Sequence, residues 1–526
     1  MSEKETIVSS LRRAYGEYSE RTALRINDQS WTYRELQAFA RTFASEMRAL
    51  SSGAFVAFIG NKNITAYAAI HAILNAGKAY LPVNPAEPLQ RADQMLRNAG
   101  ADQLVVAPDG VDLARKLLRK NSQIRTIYII ESDAELEKLE SDFPEHVFIG
   151  PHPRDTSEQG LPPLPKLTDP AYLIHTSGST GAPKAVEISH ANLAAYVHNL
   201  TESFPIFPED RVSQAPDLNF DLSVHDLFIT WCRGACLVSI SESERFAPGK
   251  LISDTQISVW TSVPSVIRFM RQLRMLKNNA FPSIRLTFFC GEPLDFDDAR
   301  GWITAAPSSR LINLYGPTET TVAIAWHEVT LSDTRSMQGV VPIGRPFRDQ
   351  RALVIDSEGN TTDINESGEL YLSGTQVSRG YRGDDHGTSS AFLALDGKPG
   401  VWYRTGDIVR RDFSGELYFV GRRDTQIKLN GYRIELGEVE QAIQAETGFR
   451  SVVILTAHGK TKSVKTLVAF VQSREESVSE SSLEDQLAQA LPKHMLPSEI
   501  RVVAEFPITR NGKTDRRKLE DHLDNG

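Results

Sequence analysis

Apolar runs that predict buried strands alternate with apolar residues at helical spacing along most of this chain. The segment "GAFVAFIG" (residues 53–60) is one such run, and "NITAYAAIHAILNAG" (63–77) follows it with a helical pattern. We expect that helix to end with Gly77 as its C-cap. Further strands are predicted in "QLVVA", "TIYII", "ISVWTSV", "LTFFCG" and "RLINLYG". Strands that alternate with helices in this way are typical of an α/β fold.

The pattern changes in the last third of the chain. Between "ELYLSG" (369–374) and "ELYFVG" (416–421) we expect shorter strands joined by Gly-rich turns, which predicts a β-rich subdomain. After "GRRD" about a hundred residues remain, which is close to the size of a small domain. We therefore predict an N-terminal core over residues 1–423 and a small C-terminal domain over residues 424–526. The polar, proline-rich segment 152–169 is predicted to be a surface linker.

Length and charge narrow the class of protein. A chain of 526 residues exceeds the size at which one hydrophobic core stops growing, so two or more domains are expected. The net charge of −9 gives no electrostatic reason to expect nucleic acid or an anionic membrane as a partner. Cys232, Cys236 and Cys290 are scattered and odd in number, which favours a reducing compartment over a disulfide framework. No apolar run approaches the ~18 residues of a membrane span, and the N-terminus lacks a signal-peptide pattern. We therefore expect a soluble, cytoplasmic protein.

The segment "TSGSTGAPK" (176–184) combines glycines, hydroxyl side chains and a lysine. Glycines let successive backbone N–H groups converge on one anion, and Ser177, Ser179 and Thr180 add hydroxyl donors. Lys184 adds a point charge that suits phosphate oxygens. The alternative is a solvated Gly/Ser turn, which is where most such segments are found. The segment is not a Walker loop, because a proline precedes the lysine and an alanine follows it.

Two further segments combine turn residues with side chains that suit a nucleotide. In "NLYGPTETT" (313–321), Tyr315 is suited to stack on a planar base and Glu319 to hold a divalent cation against phosphates. In "YRTGDIV" (403–409), Asp407 follows a Thr-Gly turn and is suited to accept two hydrogen bonds from a ribose diol. Taken singly, each segment also fits a simple turn or a structural salt bridge.

The order of the motifs carries more information than any one of them. The chain contains, in sequence, "TSGSTGAPK", "FDLSVHD", "CGEPL", "NLYGPTETT", "YRTGD", "GRRDTQIKLNGYRIE" and "NGKTDRRKL". This series resembles the adenylate-forming enzymes, and within them the amino-acid-activating branch of the nonribosomal peptide synthetases. "VWTSVPS" and "FFCGEPL" are particularly similar to the D-alanine–carrier-protein ligases, which place a cysteine at the position of Cys290. The departure is His225, where those ligases carry methionine.

The resemblance implies a fold and a set of ATP-site residues. The expected architecture is α/β: a large N-terminal domain of mixed and parallel sheets flanked by helices, a β-rich subdomain, and a small, mobile α+β C-terminal domain. ATP and Mg²⁺ are the expected cofactors. The catalytic residues would be Lys513, Glu319 and Thr176, with Glu319 on the metal. The residues assigned to ATP are Thr176, Ser177, Gly178, Ser179, Thr180, Gly181, Lys184, Asn313, Tyr315, Gly316, Thr318, Asp407, Arg422 and Lys513.

The same resemblance assigns an amino-acid site, in which Asp221 faces the α-ammonium group of the substrate. An aspartate in an apolar stretch is costly to bury without a cationic partner; the alternative is that Asp221 caps a helix that begins at Leu222. Bulky Phe288, Leu222 and Leu314 would shrink the cavity and favour a small amino acid: D-alanine, glycine, L-alanine or serine. The residues assigned to this site are Asp221, Leu222, His225, Thr261, Phe288, Cys290, Leu314, Val322 and Ala323.

The implied reaction has two steps. ATP and the amino acid give aminoacyl-AMP and pyrophosphate, and the acyl group then passes to the phosphopantetheine thiol of a carrier protein. In the family the small domain rotates between the steps about a hinge at the position of Asp424, and brings Gly431 to the thiol tunnel. Only thirteen residues follow Lys513, so we expect a free-standing enzyme with a separate carrier protein. The alternatives are an acyl- or aryl-CoA ligase of the same fold and a catalytically silent nucleotide-binding partner.

Overall fold

The computed structural model describes residues 5–120, 123–151, 160–178, 183–333, 337, 339–447, 452–458, 465–472, 486–503, 505–507, 514, 516–520 and 523. The chain divides into two compact units. The first unit contains Met1–Pro85, Met95–His175 and Ala185–Arg423, and the second contains Ala86–Gln94, Thr176–Lys184 and Asp424–Gly526. The division between Arg423 and Asp424 falls at the position that the sequence predicts for the hinge.

The chain begins with a helix and a hairpin, and most of the strands that follow in its first part are parallel. These elements are α1 (Ile7–Glu17), β1 (Thr22–Ile26), β2 (Gln29–Thr32), α2 (Tyr33–Leu50), β3 (Phe55–Ile59), α3 (Ile64–Asn75), β4 (Ala79–Val83), α4 (Leu89–Ala99), β5 (Gln103–Val106), α5 (Val111–Arg119), β6 (Thr126–Ile129), α6 (Asp133–Asp142), β7 (Val147–Ile149), β8 (Pro170–Thr176) and β9 (Lys184–Ser189). Strands β3 to β9 form a sheet in the order β7-β6-β5-β3-β4-β8-β9.

A second, larger sheet also belongs to the first unit. Besides β1 and β2, its strands and the helices between them are α7 (His190–Ser203), β10 (Arg211–Gln214), α8 (Asp221–Trp231), β11 (Cys236–Ser239), α9 (Pro248–Thr255), β12 (Val259–Ser262), α10 (Pro264–Gln272), β13 (Leu286–Phe289), α11 (Phe296–Ala305), β14 (Arg310–Tyr315), β15 (Ala325–Val329) and β16 (Arg345–Pro346). The order is β16-β15-β14-β13-β12-β10-β11-β1-β2. Its inner strands are parallel, whereas β15, β16 and β2 pair antiparallel at the edges.

The first unit ends in a subdomain of antiparallel strands. Its elements are β17 (Gln350–Ile355), β18 (Ser367–Gly374), α12 (Asp385–Ala391), β19 (Phe392–Leu395), β20 (Lys398–Arg411) and β21 (Leu417–Arg422). The prediction of a β-rich subdomain is confirmed, but the prediction of shorter strands is wrong. Strand β20 is 14 residues long. It pairs with β18, β19 and β21, and these three partners support different parts of its length.

The C-terminal part of the second unit is a small α+β structure. It contains β22 (Gln426–Leu429), β23 (Tyr432–Glu435), α13 (Leu436–Thr447), β24 (Val452–His458), β25 (Lys465–Gln472), β26 (Glu499–Val503) and α14 (Arg516–Glu520). Asn430 and Gly431 join β22 to β23 with φ of 51° and 84°. Two left-handed residues are what a tight hairpin turn requires, and an Asn-Gly pair adopts them at little cost.

Most of the predicted elements are present. The run at residues 53–60 contains β3, and the helical pattern that follows it is α3, with Gly77 at φ +74° just beyond its end. The α/β fold class is confirmed by the two large mixed sheets with their helices. Among the described residues, no helix is both long and apolar enough to cross a membrane.

Candidate active site

Helix α8 of the first unit carries Asp221, a partly buried residue. The helix begins at Asp221, and its N-cap residue Phe220 makes no side-chain cap. Asp221 is therefore in the first turn, where a carboxylate is favoured by the helix dipole. The alternative that Asp221 caps a helix beginning at Leu222 is wrong by one residue. The hydroxyl of Thr318 donates a hydrogen bond to Asp221 Oδ2 at 2.6 Å, so two of the predicted site residues meet across the unit.

The residues assigned to the amino-acid site come from different elements and meet in one core. Thr261 on β12 lies directly opposite Phe288 on β13 in the parallel ladder. The His225 and Phe288 rings meet edge to face, with 4.9 Å between their centroids. The assigned residues that belong to one large buried hydrophobic cluster of the first unit are Leu222, Phe288, Cys290, Leu314, Val322 and Ala323. His225 and Thr261 are also fully buried.

His225 is neutral in this environment. Burial lowers the pKa of the imidazole to about 3, because removing the ring from water disfavours its charged form. Its Nδ1 atom lies 2.6 Å from the hydroxyl of Tyr196 on α7. Tyr196 is not among the residues that the sequence assigned to the site, because no motif contains it and only the packing of α7 on α8 brings it there.

The loop that follows β14 has an unusual backbone. Thr321 and Val322 both adopt positive φ, 59° and 67°, a region that β-branched residues rarely enter. A Cβ at Gly316 would lie 2.6 Å from Ala323 Cα, so this position accepts only glycine without a shift of the backbone. Gln376 holds the loop, since its backbone oxygen accepts from Thr321 Oγ1 and its amide donates to the Ala323 carbonyl, both at 2.6 Å. Sequence reasoning missed Gln376, which has no distinctive chemistry in its own segment.

Glu319 lies in this loop and is fully buried. Its Oε1 accepts a hydrogen bond from the Tyr381 hydroxyl at 2.7 Å, and its backbone oxygen accepts from the Ser378 amide at 2.8 Å. One oriented carboxylate suits Mg²⁺ at a nucleotide site, because phosphates and waters supply the remaining ligands. Tyr381 was also missed by sequence reasoning; the aromatic residue of "SRGYR" was the available signal.

Tyr315, Asp407 and Arg422 form a connected group. Tyr315 ends β14 and donates its hydroxyl to Asp407 Oδ2 at 2.5 Å. Arg422 lies opposite Asp407 in the β20–β21 ladder and donates to Oδ1. Burial and the neighbouring carboxylate raise the pKa of Tyr315 well above its usual value, so the phenol stays protonated. Asn313, also assigned to ATP, donates its amide to the Pro342 carbonyl at 2.8 Å.

The second unit holds the beginning of the predicted phosphate loop. Ser177 Oγ donates to the Arg433 carbonyl at 2.8 Å, and the Gly178 amide donates to Glu438 Oε2 at 3.2 Å. Thr176 ends β8 and Lys184 begins β9. Asp424 Oδ1 accepts a hydrogen bond from the backbone amide of Gln426 at 3.2 Å. The predicted residues that lie outside the described residues are Ser179, Thr180, Gly181 and Lys513.

Glu438 also pairs with Arg91, whose guanidinium forms a second ion pair with Glu87 at 2.8 Å. Both carboxylates and the guanidinium are largely buried. Burial raises the pKa of Glu87, and the charge of Arg91 opposes that rise. These three residues lie within the second unit. They were not predicted, because 347 residues separate Arg91 from Glu438 along the chain.

Comparison with known proteins identifies the family. The AMP-binding enzyme family matches residues 11–382 of the chain. The chain belongs to the AMP-binding enzymes. The AMP-binding enzyme C-terminal domain also matches, over residues 438–513. The resemblance that the ordered motifs indicated is thereby confirmed.

Three similar proteins narrow the type of AMP-binding enzyme to which this chain is related. A D-alanine–D-alanyl carrier protein ligase from Bacillus licheniformis is 30% identical over 94% of this chain and 95% of its own length. Bacitracin synthase 1 from the same species is also 30% identical, over 95% of this chain but only 9% of its own length. The crystal structure of the Vibrio cholerae adenylation domain AlmE in complex with glycyl-adenosine-5′-phosphate matches with a TM-score of 0.90, 32% identity, and coverage of 99% and 98% of the two chains.

These findings establish the class of reaction. The protein is an ATP-dependent, AMP-forming ligase of the adenylating type found in nonribosomal peptide synthetases and D-alanine–carrier protein ligases. Its substrate is therefore a carboxylic acid that is activated as an adenylate. Enzymes of this kind generally require Mg²⁺ with ATP.

Proposed function

We propose that the protein activates a small amino acid as its adenylate and passes it to the phosphopantetheine thiol of a carrier protein. Glycine, D-alanine, L-alanine and serine are the proposed substrates. The observation that carries this proposal is the Asp221 carboxylate, oriented by Thr318, at the start of the helix that also supplies His225. The glycyl adenylate of AlmE and the D-alanine of the B. licheniformis ligase agree with this range.

Asp221 would bind the α-ammonium group. A carboxylate in the first turn of α8, with one oxygen already bonded to a hydroxyl, keeps its negative charge available to a cationic partner. The pairing would be strengthened by the buried apolar residues of the same helix, such as Leu222 and Val224, because they lower the local dielectric constant. Fatty and aryl acids have no ammonium group, so this carboxylate would disfavour them.

A wall of buried, bulky residues would limit the side chain of the amino acid. Phe288 and Cys290 are buried with Leu222 and Leu314 in one cluster, and His225 packs against Phe288. Each additional methylene that does not fit such a wall costs roughly 10–200-fold in specificity. Valine, leucine and phenylalanine would therefore be poor substrates.

The remaining assignments concern ATP. Tyr315 would stack on adenine, and the Asp407–Arg422 pair would bind the ribose. Glu319 would hold Mg²⁺, which neutralises charge on the phosphates when it is bound. Residues Thr176 to Lys184 would contact the phosphates. The buried hydroxyl–carboxylate contact between Tyr315 and Asp407 supports this arrangement, because it fixes both groups relative to β14.

The proposed reaction balances in two displacements. A carboxylate oxygen of the amino acid attacks the α-phosphorus of ATP, and pyrophosphate leaves with the bridging oxygen. The carrier thiol releases its proton to water, its sulfur bonds to the acyl carbon, and the acyl C–O bond breaks so that AMP leaves with that oxygen. Lys513 would stabilise the first transition state by its charge. A rotation of the small domain about Asp424 would replace it with the β22–β23 turn at Gly431 for the second step.

A second candidate function is an acyl- or aryl-CoA ligase of the same family. Asp221 argues against it, since a fatty or aryl acid brings no cationic group to this carboxylate. A silent nucleotide-binding protein is disfavoured by the retention of Glu319, Asp407, Lys184 and Lys513 together.

The test is amino-acid-dependent exchange of radiolabelled pyrophosphate into ATP. The panel contains glycine, both alanine enantiomers, serine, valine, leucine and phenylalanine, with fatty and aryl acids beside them. We expect the four small amino acids to lead. Strong exchange with a fatty or aryl acid and none with amino acids would contradict the proposal. Transfer is then checked by the mass of a phosphopantetheinylated carrier protein supplied as a separate chain.

A further inference from the structure

One residue assigned to the amino-acid site, His225, forms a buried pair with a tyrosine outside the assigned set. The Tyr196 hydroxyl is 2.6 Å from His225 Nδ1, and both side chains have no exposed surface. His225 belongs to α8, the helix that begins with Asp221. Tyr196 belongs to α7, which carries none of the predicted site residues. The pair therefore joins a proposed specificity residue to a helix outside the site.

Hydrogen-bond accounting fixes the tautomer of His225. The hydroxyl of Tyr196 makes no other hydrogen bond within the described part of the chain. If it accepted from an Nδ1–H group, both its own hydrogen and the lone pair of His225 Nε2 would be buried without a partner, whereas the opposite direction leaves only the Nε2–H group without one. Tyr196 therefore donates, Nδ1 accepts, and the ring hydrogen lies on Nε2. Burial, which lowers the pKa of His225 to about 3, keeps the ring neutral and so consistent with this single-hydrogen tautomer.

Packing holds the other side of the ring. Phe288 meets His225 edge to face at 4.9 Å, and Phe204 supports Phe288 in the same manner at 5.6 Å. His225 Nε2 is buried and has no hydrogen-bond partner among the residues that the structure describes. The hydrogen bond to Tyr196 is therefore the only polar contact, within that part of the chain, that fixes the rotation of the imidazole ring. Without that bond, the ring would be free to turn within the aromatic cluster.

We propose that Tyr196 is a positioning residue for substrate selection: through its hydrogen bond it holds His225 against Phe288, and so limits the substrate to a side chain no larger than hydroxymethyl. This inference rests on the proposed function. It adds a residue that influences substrate selection without touching the substrate. A residue with this role controls which amino acid is accepted more than how fast the best one reacts.

The experiment compares Tyr196→Phe with the wild-type enzyme in pyrophosphate exchange. The variant loses one hydroxyl and keeps the aromatic ring. We expect kcat/KM for L-valine relative to glycine to rise about tenfold, the lower end of what one methylene decides in an apolar pocket. The KM for ATP should stay unchanged. In a His225→Ala background, Tyr196→Phe should leave this ratio as it is, because the group through which it acts is gone.

Tyr15 and His71 provide the matched control. Their hydroxyl and Nδ1 atoms are also 2.6 Å apart, and both side chains are buried, but they belong to α1 and α3. Tyr15→Phe should lower the melting temperature without changing the valine-to-glycine ratio. An unchanged ratio in Tyr196→Phe, or an equal loss for all amino acids, would overturn the inference. A wild-type enzyme that activates no amino acid would instead overturn the proposed function.

A second measurement does not depend on the folding of the Tyr196 variant. Nitrogen-15 spectra of wild-type enzyme labelled at histidine report which ring nitrogen carries the hydrogen, and His225→Gln identifies the signal. We expect an unprotonated Nδ1 and a protonated Nε2 for His225 at neutral pH. A protonated Nδ1 would overturn the inference even if Tyr196→Phe fails to fold.

Discussion

Thr318 and Asp221 are joined by a hydrogen bond of 2.6 Å although 97 residues separate them in the chain. Thr318 stands in the loop after β14, and Asp221 opens α8. The bond connects the segment assigned to ATP with the residue assigned to the amino acid. It gives the carboxylate a fixed direction before any substrate binds.

Replacement of Asp221 by alanine tests the proposed ammonium site. Removing one partner of a buried charge pair typically costs ~3–5 kcal/mol, so amino-acid-dependent exchange should fall by a factor of hundreds or more. The KM for ATP should change little. Thr318→Val is the companion variant. Its amino-acid-dependent exchange should fall less, about tenfold, because the charge of Asp221 remains. Normal exchange by Asp221→Ala would contradict the assignment.

Gly316→Ala should disturb the loop that carries Thr318 and Glu319. The new Cβ would lie 2.6 Å from Ala323 Cα and 2.8 Å from the Val322 carbonyl, and backbone at that distance has to move. We expect exchange activity to fall at least tenfold, with a lower melting temperature. Gly16→Ala is the control, because a Cβ there meets nothing within 4 Å. Full activity of the Gly316 variant would show that the loop tolerates the shift.

Asp407→Asn should weaken ATP binding selectively. The substitution keeps the shape of the side chain but removes the charge that Arg422 pairs with, and hydrogen bonds to charged groups contribute about 1.5–3 kcal/mol. We expect the KM for ATP to rise at least tenfold while the KM for the amino acid stays within twofold. The opposite pattern, an effect on the amino acid alone, would argue against a ribose site at Asp407.

The stability of the protein should fall as pH is lowered, because buried histidines remain neutral in the folded state. Burial lowers the pKa of His71 from 6.5 to about 3, so the unfolded chain takes up a proton that the folded chain does not. The contribution of His71 to the free energy of unfolding is fully present above pH 6.5, and it is lost as the pH falls towards 3. Linkage predicts about 1 kcal/mol for such a histidine between pH 6.5 and 5.5. Urea unfolding at both values should show a correspondingly smaller loss for His71→Phe; an equal loss would contradict the argument.

Lys513→Ala should separate the two half-reactions. Lys513 lies outside the described residues, so this prediction rests on the motif "NGKTDRRKL". Loss of one donor to a transition state typically costs on the order of 10²–10³ in rate. We expect that loss in adenylate formation, while transfer from preformed aminoacyl-adenylate to a carrier continues. Equal loss in both single-turnover assays would count against the proposed rotation at Asp424.

Local patterns were sufficient to predict much of the fold. The strand at residues 53–60, the helix before Gly77 and the β-rich subdomain depend on residues close together in the chain, whose burial and turn chemistry are readable from their spacing. The order of seven motifs was sufficient to identify the family, and the family match over residues 11–382 confirms that identification. The roles of single residues, the domain limits, the hinge and the cytoplasmic location stay predictions.

Contacts between distant segments were decided only by the tertiary structure. The sequence marked a turn at Gly316, but the reason for the glycine is the backbone of Ala323, which folding brings against it. Gln376, Tyr381 and Tyr196 carry no motif, because their importance lies in what they touch: the loop of Thr321, the carboxylate of Glu319 and the imidazole of His225. Residue type and spacing thus determined which chemistry the chain contains, whereas packing decided which side chains orient it, since a hydrogen bond depends on position in space and not on separation along the chain.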